Sequence, residues 1–349
     1  MNQSIRLFTH ERSLSESNYN MKKILINLTK LSVAFGLIYW LVKDGKIDFS
    51  QTSIFLNSPS LITMHICYWL FIGIGVGAYR WSALLSGLGI IVNYFKVVYF
   101  TLIGFFFNTA MPGAVGGDLI KAIYILRDSG GLKKTPVILS ILLDRVMGLA
   151  GLFTLAFLGV VLNWTVLSVN PALAGMAYLV VGIYLAILIF FTLVFIPLGK
   201  ADLFRQILSQ RFIGFKFLLR VYLAFCEYRK SPRSICIALI CSIVIQGFVI
   251  FFMWYIAGLL NLTQGISLGV FASIAPLGIL TTALPLAPGG MGVGHVAFDR
   301  IFAIAGVEGG ANIFNIFFLG QICLNLLGVI PYLFFKKPTS EEIEIEQAV

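Results

Sequence analysis

Pro112-Gly113-Ala114-Val115-Gly116-Gly117-Asp118 interrupts an apolar stretch that runs from about residue 95 to 127. Pro285-Leu286-Ala287-Pro288-Gly289-Gly290-Met291-Gly292-Val293-Gly294 interrupts a second, from about 268 to 306. Proline lacks the amide N–H and glycine weakens a helix, so neither stretch reads as one continuous helix. In hydrocarbon, the backbone groups freed by such a break must be paired by protein or by water in a cavity. Two broken segments in corresponding halves of a membrane chain are also the sequence pattern of a transporter's substrate site.

Around these breaks the chain is apolar almost throughout. Of its 349 residues 59% are hydrophobic and 11% charged, and the mean hydropathy is +0.94. A soluble domain carries roughly 25% charged residues, so a soluble reading is excluded. Runs long enough to cross about 30 Å of hydrocarbon lie at 24–42, 60–79, 137–162, 174–197, 234–260 and 312–335. The expected fold is an all-α polytopic membrane protein with about six full spans and two broken segments. Residues 1–20 are polar and Lys22-Lys23 precede the first run with no small-residue cleavage site after it, so an uncleaved first span is expected.

The net charge of +10 does not point to nucleic acid, because the basic residues sit in short loops between apolar runs. Loop 198–233 holds Lys200, Arg205, Arg211, Lys216, Arg220, Arg229, Lys230 and Arg233 against Asp202 and Glu227, which assigns it to the cytoplasm. Arg80, the Arg127/Lys133/Lys134 loop and Lys336-Lys337 read the same way, whereas 163–173 and 261–267 carry no charge and suit the outside. These assignments agree when each broken stretch returns to the side it came from. Two opposed re-entrant hairpins do this, the first from the cytoplasm and the second from outside; two complete crossings in each region give the same sidedness. The short arms 119–127 and 296–306 favour hairpins, and their opposed directions suggest an inverted repeat. Both termini are then cytoplasmic, and the expected address is the inner (plasma) membrane. Leu203, Phe204, Ile207 and Leu208 recur at helical spacing among basic residues, as in a helix lying on the cytoplasmic leaflet.

Phe107-Asn108-Thr109-Ala110-Met111-Pro112, then Gly116-Gly117-Asp118 and Lys121, resembles a motif of the lysylphosphatidylglycerol synthase transmembrane-region family, the flippase-like domain proteins. Asp144-Arg145 with Gly148-Leu149 resembles the family's next motif, and Pro288-Gly289-Gly290-Met291-Gly292-Val293 with Phe298 its late glycine-rich one. The resemblance covers roughly residues 24–335, in the expected order. It implies a flippase-like transmembrane domain over 24–335, between a polar N-terminus (1–23) and an acidic tail (336–349). In the family's multiple peptide resistance factors, such a domain joined to an aminoacyl-transferase moves an aminoacylated phospholipid to the outer leaflet. This chain is expected to stand alone, without that transferase. Where many members carry a charged pair after the late glycines, Gly294-His295 stand here, with Asp299-Arg300 one turn on.

Ionisable residues inside apolar segments are costly and are therefore functional candidates. Asp144 and Arg145 lie about two turns into the span from 137, and Asp144 shares a helical face with Gly148 and Gly151. Arg145 could grip a lipid phosphate while Asp144 orients it or another cation; the alternative is a structural ion pair between helices. Asp118 and Lys121 share a face of the helix leaving the first break, either to bind an anion or, for Asp118, only to cap that helix. Asp299-Arg300 face either the same cavity or the outer interface. His295 either couples movement to protons or packs as a neutral side chain. Trp81 and Trp164, at expected span ends, read as interfacial belt residues, and Arg80 as a topology signal or a lipid contact.

The leading expectation is a lipid translocator acting on a phospholipid or polyprenyl-linked headgroup, with membrane lipids as partners and no cofactor. A homo-oligomer or a separate lipid-modifying synthase is the further partner expected. The alternatives are a membrane enzyme using Asp118 and Asp144 as paired carboxylates, or a scaffold subunit. No DxD, HExxH, GxSxG or ATP-binding GxxxxGKS/T is present, so the chain is not expected to be an enzyme.

Overall fold

The computed structural model describes residues 52–110, 116–128, 134–195, 222, 225–264, 266–282 and 293–334. The expected span at 24–42, the amphipathic helix in the 198–233 loop and the tail lie outside them. So do Pro112, Gly113, Pro288, Gly289, Gly290 and Gly292 at the centres of the breaks.

The described residues form helices and no strands. Short α1 (Thr52–Asn57) precedes α2 (Pro59–Gly87), which begins on a proline where a missing N–H costs nothing. α3 (Tyr94–Ala110) and α4 (Gly116–Asp128) flank the first break. Then come α5 (Lys134–Leu162), the single turn α6 (Trp164–Leu167), α7 (Pro171–Phe195) and α8 (Pro232–Leu259). α9 (Leu268–Thr282) and α10 (Val293–Ile304) flank the second break, and α11 (Gly310–Phe334) closes the described fold. Side-chain oxygens begin several of these helices. Asn93, Asn170 and Ser267 accept from the backbone N–H of Phe95, Ala172 and Val270.

Among the described residues five helices, α2, α5, α7, α8 and α11, are long and apolar enough to cross a membrane. Each overlaps an expected span with ends displaced by a few residues, except that α2 runs on to Gly87 where the sequence suggested an end at 79. Residues 68–76 of α2 are wound as a π-helix, whose wider turn re-aims the side chains that follow. α4 has 13 residues, α9 15 and α10 12, so each spans about 18–22 Å, short of a full crossing.

α3 and α4 form an antiparallel hairpin. The ammonium of Lys96, in the first turn of α3, lies 3.1 Å from the carboxylate of Asp128, the last residue of α4. At the tip, Asn108 Oδ1 accepts the Gly117 N–H at 2.9 Å, so one freed amide of the break is paired by a side chain. Between them the backbones touch: a Cβ on Gly117 would collide with the carbonyl oxygen of Gly104. Glycine is required there by close approach, not by backbone conformation.

The order span, broken pair, span occurs twice, as α2–α3/α4–α5 and α8–α9/α10–α11. Contacts follow the exchange of the two sets: α9 packs on α5 as α3 packs on α11, and α8 packs on α11 as α2 packs on α5. The α5–α9 and α3–α11 contacts are both made at glycines, Gly159 against Ser273 and Gly328 against the carbonyl of Leu102. The main apolar core, including Leu61, Phe153, Ile256, Phe271, Phe298 and Phe314, joins α2, α5, α8, α9, α10 and α11. α7 is peripheral, with Tyr178 63% and Ile189 59% exposed, the apolar surface a helix presents to lipid.

The glycine contacts give a paired expectation. Gly117→Ala should destabilise by about 1–3 kcal/mol or block folding, as overpacking against backbone does. Gly175→Ala in α7, where nothing lies within 4 Å of the added carbon, should leave the melting temperature in detergent unchanged or slightly raised.

Candidate functional site

α5 carries Asp144 ten residues past its first residue, about 15 Å along the helix. One feature of the sequence lets another helix reach it. Gly151, two turns on, brings α8 so close that a Cβ would stand 2.7 Å from Ser242, while a Cβ on Gly148 would only touch the Arg80 guanidinium, at 3.6 Å. The helical face predicted for Asp144, Gly148 and Gly151 is thus the face on which α2 and α8 pack.

Arg80 of α2 meets Asp144 in a two-point pair, Nε to Oδ1 at 2.7 Å and Nη2 to Oδ2 at 3.0 Å. Its third nitrogen donates to Ser242 Oγ of α8 at 3.1 Å, and that hydroxyl donates to the Ala238 carbonyl. Arg80, read from the sequence as a topology signal or a lipid contact, thus lies inside a helix that continues through Leu84 and Leu85 and is ion-paired there. The reading of Trp81 as an interfacial belt residue is corrected. Instead of standing at an interface it is 1% exposed and donates its indole N–H to Ser140 Oγ of α5 at 3.0 Å.

The second half of the cluster comes from the hairpin. Asp118 and Lys121 share a face of α4 as expected, with 3.0 Å between carboxylate and ammonium. Asp118 also receives Arg145 of α5, Nε at 2.7 Å and Nη2 at 2.5 Å, both on Oδ2. Lys121 links the halves, 3.9 Å from Asp144 Oδ2 and 4.5 Å from the centroid of the Trp81 ring. Asp144 and Arg145 therefore take partners on other helices rather than orienting each other, since adjacent residues on a helix point about 100° apart. Asp118 is an ion-pair partner rather than only a cap. Four of the five side chains are 8–14% exposed, and Arg145 is the most open at 29%.

A second, uncharged set of polar groups surrounds the other side of the hairpin tip. Asn325 of α11 accepts from Trp69 of the π segment and from Gln321, both at 3.0 Å, and donates to Thr109 of α3 at 3.1 Å. His65 of α2 is also buried, its ring between the carbonyls of Leu61 and Phe317 and against Phe252. Neither set was singled out from the sequence. Their members are scattered, and only the tertiary fold joins them.

The second hairpin does not contribute charges to the cluster. Asp299 and Arg300 are exposed on α10, and among the described residues no ion pair joins them to the five. His295 lies 3.3 Å from Asn315 Oδ1 and edge-on to Phe314, at the α10–α11 contact. Gly116 and Gly117 are buried at the start of α4.

Removing one member of a buried pair strands the other charge. Arg80→Leu should therefore destabilise by about 3–5 kcal/mol, while Arg80→Leu with Asp144→Leu should recover most of the loss. A double-mutant cycle on unfolding in detergent or bicelles reads this directly.

The sequence model of the family described as "Lysylphosphatidylglycerol synthase TM region" matches residues 27–324. A UPF0104 membrane protein of Pyrococcus horikoshii is 23% identical over 308 residues, covering 82% of this chain and 89% of that protein. No solved structure matches the chain. The match spans both broken pairs, the charge cluster and four of the five long helices in full, and relates the protein to lipid metabolism. The chain belongs to the lysylphosphatidylglycerol synthase transmembrane-region family.

Proposed function

We propose that the chain is a lipid translocator. It moves the phosphate-bearing headgroup of a phospholipid or polyprenyl-linked lipid between the leaflets of the inner membrane, with both termini cytoplasmic, while the acyl chains stay in lipid. The observation that carries this reading is the cluster of three cations and two carboxylates beside the tip of a broken hairpin, well inside apolar helices. Ionised groups at such depth mark a substrate path more often than they stabilise a fold. Arg145 offers the planar donors that suit a phosphate. Asp118, already shared between Arg145 and Lys121, can release one of them as a headgroup arrives. The family's relation to lipid metabolism supports the same reading.

Moving a headgroup between leaflets needs no bond-making step. Each carboxylate is held by a guanidinium, Asp144 by Arg80 and Asp118 by Arg145, an arrangement suited to an ion-pair partner rather than to a base.

Reconstitution into liposomes tests it. Acyl-labelled fluorescent phospholipid should become accessible to dithionite in wild-type vesicles, and Arg145→Ala and Asp118→Ala should slow this at least about tenfold, the effect of losing one charge-assisted contact. Equal rates in wild type and folded variants would remove the cluster from the path.

A further inference from the structure

Three helices meet at one carboxamide beside the tip of the first hairpin. The Trp69 indole can only donate, so the Asn325 atom 3.0 Å from it is Oδ1, which also accepts from Gln321. Nδ2 then faces α3 and donates to Thr109 Oγ1 at 3.1 Å, and that hydroxyl gives its own hydrogen to the Phe105 carbonyl at 3.1 Å. Every bond in this chain therefore has a fixed direction, from α2 through α11 to the last turn of α3. Both supporting helices change winding at this point. The π segment of α2 begins at Tyr68, one residue before Trp69, and α11 passes into a 3₁₀ turn (Leu326–Gly328) directly after Asn325. A change of winding is where the hydrogen-bond ladder of a helix can shift register, and such places mark hinges.

The tip is thus held from two sides by bonds of different strength. Toward α5 it is held by the Asp118–Arg145 ion pair, toward α2 and α11 by neutral hydrogen bonds through Asn325. A neutral hydrogen bond contributes a fraction of what a buried ion pair costs to break, so the α11 side releases first. We infer that Asn325 is the latch of the first hairpin. It positions the tip against α11 through Thr109, and its release lets the tip swing away about the Gly328–Leu102 contact, two turns down α3. The changes of winding in α2 and α11 absorb the movement. Resting on the translocator reading, this opening is the step that admits a headgroup past the break.

Amide hydrogen exchange on the full chain in nanodiscs tests this, with residues 94–100 of α3 as the internal reference. Asn325→Leu nearly keeps the side-chain volume and removes the carboxamide. Exchange over 104–110 should then rise about tenfold relative to the reference, the effect of losing the bonds that hold the tip. Trp69→Phe keeps an aromatic ring and removes one donor, and should raise tip exchange about threefold. In vesicles of phosphatidylethanolamine and phosphatidylglycerol, acyl-labelled phosphatidylglycerol should cross faster with Asn325→Leu than with wild type, although the variant melts at a lower temperature. A residue that only stabilised the fold would lower the rate and the melting temperature together.

Tip exchange that rises no more than the reference would overturn the latch and leave translocation standing. Faster tip exchange with slower crossing would overturn its role as a gate, since the opened tip would then lie off the path. Faster tip exchange with no lipid crossing by either protein would leave the latch standing and remove the translocator reading. If Asn325→Leu does not fold, Trp69→Phe decides, and an unchanged tip in that variant counts against the inference.

Discussion

The two-point ion pair between Arg80 and Asp144 is the interaction around which the described fold is arranged. A lone guanidinium or carboxylate at this depth would cost several kcal/mol, so α2 and α5 must stay in register for each to find the other. The third guanidinium nitrogen then binds Ser242 and ties α8 to the same point. Space for this junction comes from an absent side chain: Gly151 admits the backbone of α8. Small residues and buried charge thus act together, one permitting the approach that the other requires.

The first hairpin is fastened to that junction from the side. Asp118 stands just past the break, where the N–H groups opening α4 would otherwise be unpaired, and Asn108 of the preceding arm pairs one of them. Its carboxylate reaches Arg145 on α5, so the position of the hairpin tip depends on a salt bridge as well as on the Gly104–Gly117 contact. The second hairpin is built differently. Phe298 packs against Gly278, and Phe314 packs against Gly294, while Asp299 and Arg300 turn outward. The two sets therefore correspond in element order and in part of their packing, and differ in charge.

The sequence by itself determined the class of the fold and the places where it breaks. Hydrocarbon thickness and the obligation to pair every backbone group leave few options for an apolar chain, and proline and glycine mark where continuous helix ends. The same physics made Asp118, Lys121, Asp144 and Arg145 legible, since an ionisable residue in an apolar run needs a reason. What only the tertiary structure decided was the pairing. Asp144 and Arg145 are adjacent in the chain yet diverge on the helix surface, and each finds its partner on another element. Arg80 and Trp81 were obscured because the end of an apolar run is not the end of a helix: α2 continues for two turns beyond residue 79 and carries both into the core. Periodicity reports which face of one helix is apolar, but which helices meet, and hence which charges pair with one another, is settled by packing between segments far apart in sequence.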